Sequence, residues 1–338
     1  MNSWVSRGVR IFRMGALLAF VGGVSTVHAA PLRVGVVLDK GGKDDKSFNA
    51  AAVLGANQAK DKLSVQVKFV EASDDNAYEP MIRAFAQKDF DLVIAVGISQ
   101  ADALKKVAPQ FPLKKFAIVD SEVQLPNVRS LMFEEHEGSF LVGVIAAMAS
   151  KSGKIGFIGG MDIPLIRRFE MGYFAGAKII NPKIKTVSNY IGVTTEAWNN
   201  PPKAKELAVT QYEGGADVVF AAAGASNAGL FDASEEKGKL SIGVDSNQNW
   251  IKPGFVLTSM LKRVDQAVFS TCEDLVSGKF TAGVKRFGLA SGGIDFALDQ
   301  HNDKLLTADM RTKAAKIKAD IIAGKTQVPD YYKKAAKR

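Results

Sequence analysis

One cysteine and three histidines among 338 residues leave this chain little material for disulfide staples, metal cages or histidine-centred catalysis. The lone Cys272 excludes an intrachain disulfide, so packing alone must hold an exported chain together, with Cys272 expected as a small buried hydrophobe in a helix. His28 falls in a leader, and neither His136 nor His301 stands at a metal-ligand or triad spacing. There is no serine elbow, no G-x-G-x-x-G or G-x-x-x-x-G-K-[ST], and no helix-turn-helix, zinc or RNA-binding signature. Neither an enzyme, a cofactor, a metal nor a nucleic-acid partner is therefore expected. A nucleoside hydrolase working through calcium would need a tighter cluster than Asp39, Asp44 and Asp45.

The apolar stretch Met14–Val24 is too short to span a bilayer, follows Arg7, Arg10 and Arg13, and leads to the small-residue site Val27-His28-Ala29. Residues 1–29 read as a signal peptide cut after Ala29, with Ala30 as the alternative site and an uncleaved anchor helix as the structural alternative. No cysteine lies near the cut, so the expectation is a free periplasmic protein without a lipid anchor. The formal charge of +9 includes those leader arginines and a lysine-rich C-terminus with Lys325, Lys333, Lys334 and Lys337, which suits an exposed basic tail over 326–338.

In what remains, valine- and isoleucine-rich runs alternate with helical spacing. Arg33–Leu38, Gln66–Glu71, Leu92–Gly97 and Lys115–Asp120 form one set, and Lys154–Gly159, Lys185–Gly192, Asp217–Ala222 and Leu240–Asp245 a second. Continuous apolar strands are buried on both faces of a parallel sheet, so the pattern predicts α/β architecture with two Rossmann-like lobes. After Asp245 come a strand Phe255–Leu261, a helix Val264–Ser277, a glycine-rich pair of short strands within Phe287–Leu298 and a helix near Thr307–Ile322. This surplus is expected to cross between the lobes and complete both. The predicted N-terminal lobe is 30–136 plus 257–290, and the C-terminal lobe 137–256 plus 291–325.

Ligands of open α/β sheets sit beyond the carboxyl ends of the strands. There the first strand is followed by Asp39 and then Lys40-Gly41-Gly42-Lys43-Asp44-Asp45-Lys46-Ser47-Phe48-Asn49. Three aspartates repel phosphate, while an aromatic beside carboxylates suits a flat, polar, uncharged ligand. The alternative is structural, with Asp45 or Ser47 capping a helix and Phe48 in the core. Asp120 follows the fourth strand and is placed to accept from a base edge or to cap a turn. Trp198 stands in a polar loop before Pro201, as a ligand platform or as a lid on its own lobe. Gly224 allows close backbone approach, and Asp245 with Lys262, arriving from adjacent strand ends, suits a vicinal diol or forms a plain ion pair.

Asp45-Lys46-Ser47-Phe48-Asn49, Val119-Asp120-Ser121, Trp198 with Pro201–Glu206, Gly243-Val244-Asp245-Ser246 and Met260-Leu261-Lys262 resemble, in order and spacing, the basic membrane protein family of purine-nucleoside receptors for ABC importers. The resemblance covers essentially the whole chain after residue 29. It implies a type I periplasmic binding protein with a three-strand hinge, closing as a monomer on a nucleoside and delivering it to permease subunits. Phe48 and Trp198 would stack on the base, Asp120 with Asp39 and Asn49 would take its polar edge, and Gly224, Asp245 and Lys262 the ribose. The Ala225-Ser226-Asn227 stretch replaces a more glycine- and threonine-rich one. A sugar receptor and a ligand sensor for a membrane signalling partner remain the alternatives.

Overall fold

The apolar runs pair as two parallel sheets. The computed structural model describes Met1 and residues 30–335; the rest of the predicted leader and the last three residues of the tail lie outside the described residues. The first sheet contains β1 (Arg33–Leu38), β2 (Gln66–Glu71), β3 (Leu92–Val96), β4 (Lys115–Val119) and β5 (Val128–Phe133), interleaved with α1 (Phe48–Leu63), α2 (Tyr78–Gln87) and α3 (Ala101–Val107). The second contains β6 (Lys154–Met161), β7 (Lys185–Gly192), β8 (Val218–Ala222), β9 (Leu240–Asp245) and β10 (Val256–Lys262). Its helices are α4 (Glu135–Ala149), which precedes β6, α5 (Pro164–Ile180), α6 (Pro201–Glu213) and α7 (Asn227–Lys237). There follow α8 (Val264–Val276), β11 (Gly283–Phe287), β12 (Ile294–Phe296), α9 (Ala308–Ile322) and α10 (Tyr331–Ala335).

The sheet orders are β11-β5-β4-β3-β1-β2 and β12-β10-β9-β8-β6-β7, so each lobe repeats the other and each takes one edge strand from the returning chain. The central strands β3 and β8 are buried at every residue, as the absence of polar residues in Leu-Val-Ile-Ala-Val and Val-Val-Phe-Ala-Ala requires. The edge strands β2 and β7 are largely half-exposed and carry the polar alternation. Cys272 is fully buried in α8, as expected.

The chain passes between the lobes three times: from β5 into α4, from β10 into α8, and from β11 to β12. This is the expected three-strand hinge. One boundary moves. Val256–Lys262 pairs with β9 and β12, so the return to the first lobe begins after Lys262 and not at 257, because β10 is needed to cover the flank of β9. Strand β5 has no counterpart among the expected strands, since Arg129 interrupts its apolar run. That arginine is buried and bonded to Asp274 and to the carbonyl of Thr281. The expected basic tail is also docked as far as it is described, with Asp330 held by Arg168.

Candidate functional site

The carboxyl ends of β1, β3 and β4 in one lobe face those of β8, β9 and β10 in the other across about 620 Å3 of empty space, its solvent-open mouth included. Asp39, Phe48, Asn49, Asp120, Trp198, Gly224, Asp245 and Lys262 all line this cavity. The lobes are closed on one another. Ser47 Oγ donates to Asp245 Oδ2 at 2.7 Å, Ser246 Oγ to the Ser47 carbonyl at 2.8 Å, Gln248 Nε2 to the Lys46 carbonyl at 3.0 Å, and Thr195 Oγ1 to Asp75 Oδ1 at 2.9 Å. Lys40 pairs with Glu196 at the mouth.

At the β1 end, the loop arranges its own carboxylates. Asp45 accepts from the backbone N–H groups of Ser47, Asn49 and Ala50 at 2.9 Å each, so it caps the first turn of α1. Phe48 is left half-buried against the core with its ring on the cavity wall. The capping alternative thus holds for Asp45, while Phe48 both packs on the core and lines the cavity. Asn49 brackets Asp39, donating to its carbonyl and accepting from its N–H at 3.1 Å. The Asp39 carboxylate accepts from the Tyr78 hydroxyl and from Lys40 N, and burial raises its pKa despite those bonds.

Asp120 directly follows β4 and Asp245 ends the corresponding strand β9, both with left-handed backbone, at φ 67° and 64°. Aspartate is one of the few residues besides glycine that tolerate this conformation. Lys262, 1 % exposed, places Nζ 2.5 Å from Asp120 Oδ2 and 3.4 Å from Glu135 Oε1. It also lies 5.1, 5.2 and 5.6 Å from the ring centres of Phe48, Phe133 and Phe169. The direct ion pair of Lys262 is thus with Asp120 and not with Asp245, because closure carries the end of β10 to the opposite lobe's strand end. Burial works against the Lys262 charge, and the carboxylates of Asp120, Glu135 and Asp245 more than reverse that, raising its pKa. Burial raises Asp120 and Glu135, and pushes Asp245 up to about 6 against the pull of Lys262 and Ser47. Asp120 Oδ1 is buried without a hydrogen-bond partner, on a residue that lines the cavity.

Trp198 sits in a 3-10 turn, Thr195–Asn199, just before α6. Its indole crosses Gly160 at the end of β6, where a Cβ would come within 2.1 Å of the ring. Gly224, at φ 60°, passes beneath the Trp198 backbone. Trp198 therefore rests on its own lobe and lines the cavity as well. Leu165, Ile166 and Phe169 of α5 complete the apolar wall. Sequence reasoning missed them because an apolar helix face looks the same whether it meets a core or a ligand. It also missed Glu135, whose only signal is its place two residues beyond β5.

Among the described residues, one group has metal-like proximity, Glu134, His136 and Asp330 within 4.8 Å of one another. Arg168 occupies its centre, bonding Glu134 at 2.7 Å, His136 Nδ1 at 2.9 Å and Asp330 at 2.8 Å. Burial and Arg168 together depress His136 to about 4. A guanidinium is the cation of this cluster. No helix among the described residues is long and apolar enough to cross a membrane.

The family model described as "ABC transporter substrate-binding protein PnrA-like" matches residues 32–331. The chain belongs to the Bmp family. It is 34% identical over 332 residues to the ABC transporter nucleoside-binding protein BmpA of Lactococcus lactis, covering 91% of this chain and 92% of that one. It is likewise 34% identical over 304 residues to an uncharacterized lipoprotein of Pyrococcus furiosus, covering 85% of this chain and 75% of the relative. A solved ABC transporter solute-binding protein from Aeropyrum pernix superposes with a TM-score of 0.80 at 30% identity, covering 88% and 94% of the two chains. The fold of this Bmp protein is that of type I periplasmic binding proteins. It is an ABC transporter substrate-binding protein, and the Bmp family is one of solute receptors, not enzymes.

Proposed function

We propose that this protein, a periplasmic monomer after export, captures purine nucleosides by closing its lobes on them and presents the closed form to the permease of an ABC importer. The observation that carries this is the wall of the cavity. Aromatic faces arrive from opposite lobes, Phe48 and Trp198, beside buried carboxylates of which Asp120 keeps one oxygen unpartnered. An unpartnered buried acceptor costs about 1–3 kcal/mol, and a ring N–H or exocyclic amine at Asp120 Oδ1 removes that cost. Asp39, braced by Asn49, faces the same polar edge. Asp245, Lys262 and the Gly224 backbone take the ribose hydroxyls, and the acidic wall rejects phosphorylated forms. Contacts to both lobes then favour closure, which the permease reads.

The test is thermal unfolding of protein refolded from denaturant to strip bound ligand, against nucleosides, free bases and sugars. A ligand at a hundred times its Kd adds about 2.7 kcal/mol, a rise of several degrees. Nucleosides are expected to stabilise most; a response confined to sugars overturns the assignment.

Two further outcomes are expected. Trp198→Ala removes one face of the stack, worth about 0.5–1.5 kcal/mol beyond the buried area, so calorimetry should find nucleosides and free bases weakened alike, by roughly tenfold. Affinity should also fall below pH 6. Asp245 must be ionised to accept hydroxyl protons, and with its pKa at about 6 roughly nine-tenths is protonated at pH 5, so nucleosides bind about tenfold more weakly there than at pH 7. Asp245→Asn should flatten that step; an unchanged step assigns it to another group. In the ligand-free protein the same raised pKa stabilises the fold at low pH, and this contribution is lost as pH rises through about 6.

A further inference from the structure

Glu135, the first residue of α4, is fully buried on the first inter-lobe crossing. Its Oε2 accepts from Arg168 Nη1 at 2.5 Å. Its Oε1 has no hydrogen-bond partner and lies 3.4 Å from Lys262 Nζ. Arg168 is fixed independently by the Phe133 carbonyl at 2.7 Å, by Glu134 and by Asp330. Glu135 is therefore a rigidly mounted carboxylate that presents one spare oxygen to the ammonium of the ligand cavity.

We propose that Glu135 is a positioning residue for the ligand site, holding the Lys262 ammonium where it can donate to the ribose. The inference rests on the nucleoside reading above. An ammonium has three donors. Asp120 Oδ2 takes one, and a ligand N–H arriving at Asp120 draws on the same carboxylate. The spare oxygen of Glu135, 3.4 Å away and so beyond ideal bonding distance in the closed lobes, is the place where Lys262 keeps a counter-ion as it turns a proton toward the ribose oxygens. Without it, a desolvated cation would be held by Asp120 and Asp245 alone and drawn away from the ribose oxygens.

The experiment compares Glu135→Gln with Asp330→Asn, which removes a different partner of Arg168 and leaves Lys262 alone. Calorimetry measures affinity for a purine nucleoside and for its free base. Glu135→Gln should weaken the nucleoside about tenfold or more and the base less than about threefold, whereas Asp330→Asn should lower the unfolding midpoint with both affinities within about twofold. Glu135→Asp keeps the charge but withdraws it by one methylene, should show the same split, and serves if the glutamine variant does not fold. Equal losses for nucleoside and base, or the same pattern in Asp330→Asn, overturn the proposal and leave Glu135 a structural residue. Should the wild type bind neither compound, it is the nucleoside reading that fails. Urea unfolding of Glu135→Gln, Lys262→Met and the double variant then decides on Glu135 by itself: non-additive effects support its hold on Lys262, and additive ones overturn it.

Discussion

Lys262→Met is expected to lower the unfolding free energy by about 3–5 kcal/mol at pH 7, the usual cost of removing one partner from a buried ion pair. Methionine preserves most of the apolar stem, so little of that loss comes from packing. What remains is Asp120, Glu135 and Asp245 around a position without its cation, all three already raised by burial. The sign of the pH effect follows. Carboxylates whose folded pKa lies above the unfolded value bind protons more tightly in the folded state, so stability returns as pH falls through the raised values toward about 4. Urea unfolding of wild type and variant at pH 7 and pH 5 should show the deficit narrowing at the lower pH. A deficit equal at both pH values, or below about 1 kcal/mol, means that Lys262 is not the counter-ion of this cluster.

Asp245→Ala is expected to weaken nucleosides about ten- to a hundredfold more than the corresponding free bases, since hydrogen bonds to a charged acceptor contribute about 1.5–3 kcal/mol. Two other effects accompany the loss of the carboxylate. Asp245 holds φ 64°, where alanine is strained, and it accepts the cross-lobe bond from Ser47. Asp245→Asn keeps a side chain suited to that backbone, and Ser47→Ala breaks the cross-lobe bond without touching the hydroxyl acceptor. The strain and the lost closure should cost bases and nucleosides equally; only the missing acceptor discriminates. Calorimetry that finds equal losses for both ligand classes removes Asp245 from the ribose.

The architecture was legible because its signals are local. Runs such as Leu92–Val96 and Val218–Ala222 contain nothing polar, which only a strand covered on both faces tolerates. Where a polar residue breaks the run, the signal fails, as at Arg129 in β5, whose guanidinium is satisfied by α8 and the segment after it. Strand β10 shows a second limit. Its residues are apolar enough for either sheet, and its place beside β9 follows from pairing across the fold.

The cavity was legible by position, since side chains that follow parallel strands meet wherever two such sheets face each other. On that ground the sequence by itself determined the two lobes and the eight residues at their mouths, from Asp39 to Lys262. The tertiary structure alone decided who bonds whom. It set Asp45 to capping α1, Asn49 to bracing Asp39, and Lys262 to Asp120 instead of Asp245. It also brought Glu135 and Arg168 behind the site. The reason is range: hydrophobic periodicity is written within a few neighbouring residues, whereas the partners of a buried charge such as Lys262 are chosen over a few ångströms from segments more than a hundred residues away, once closure has excluded the water that would otherwise serve each of them.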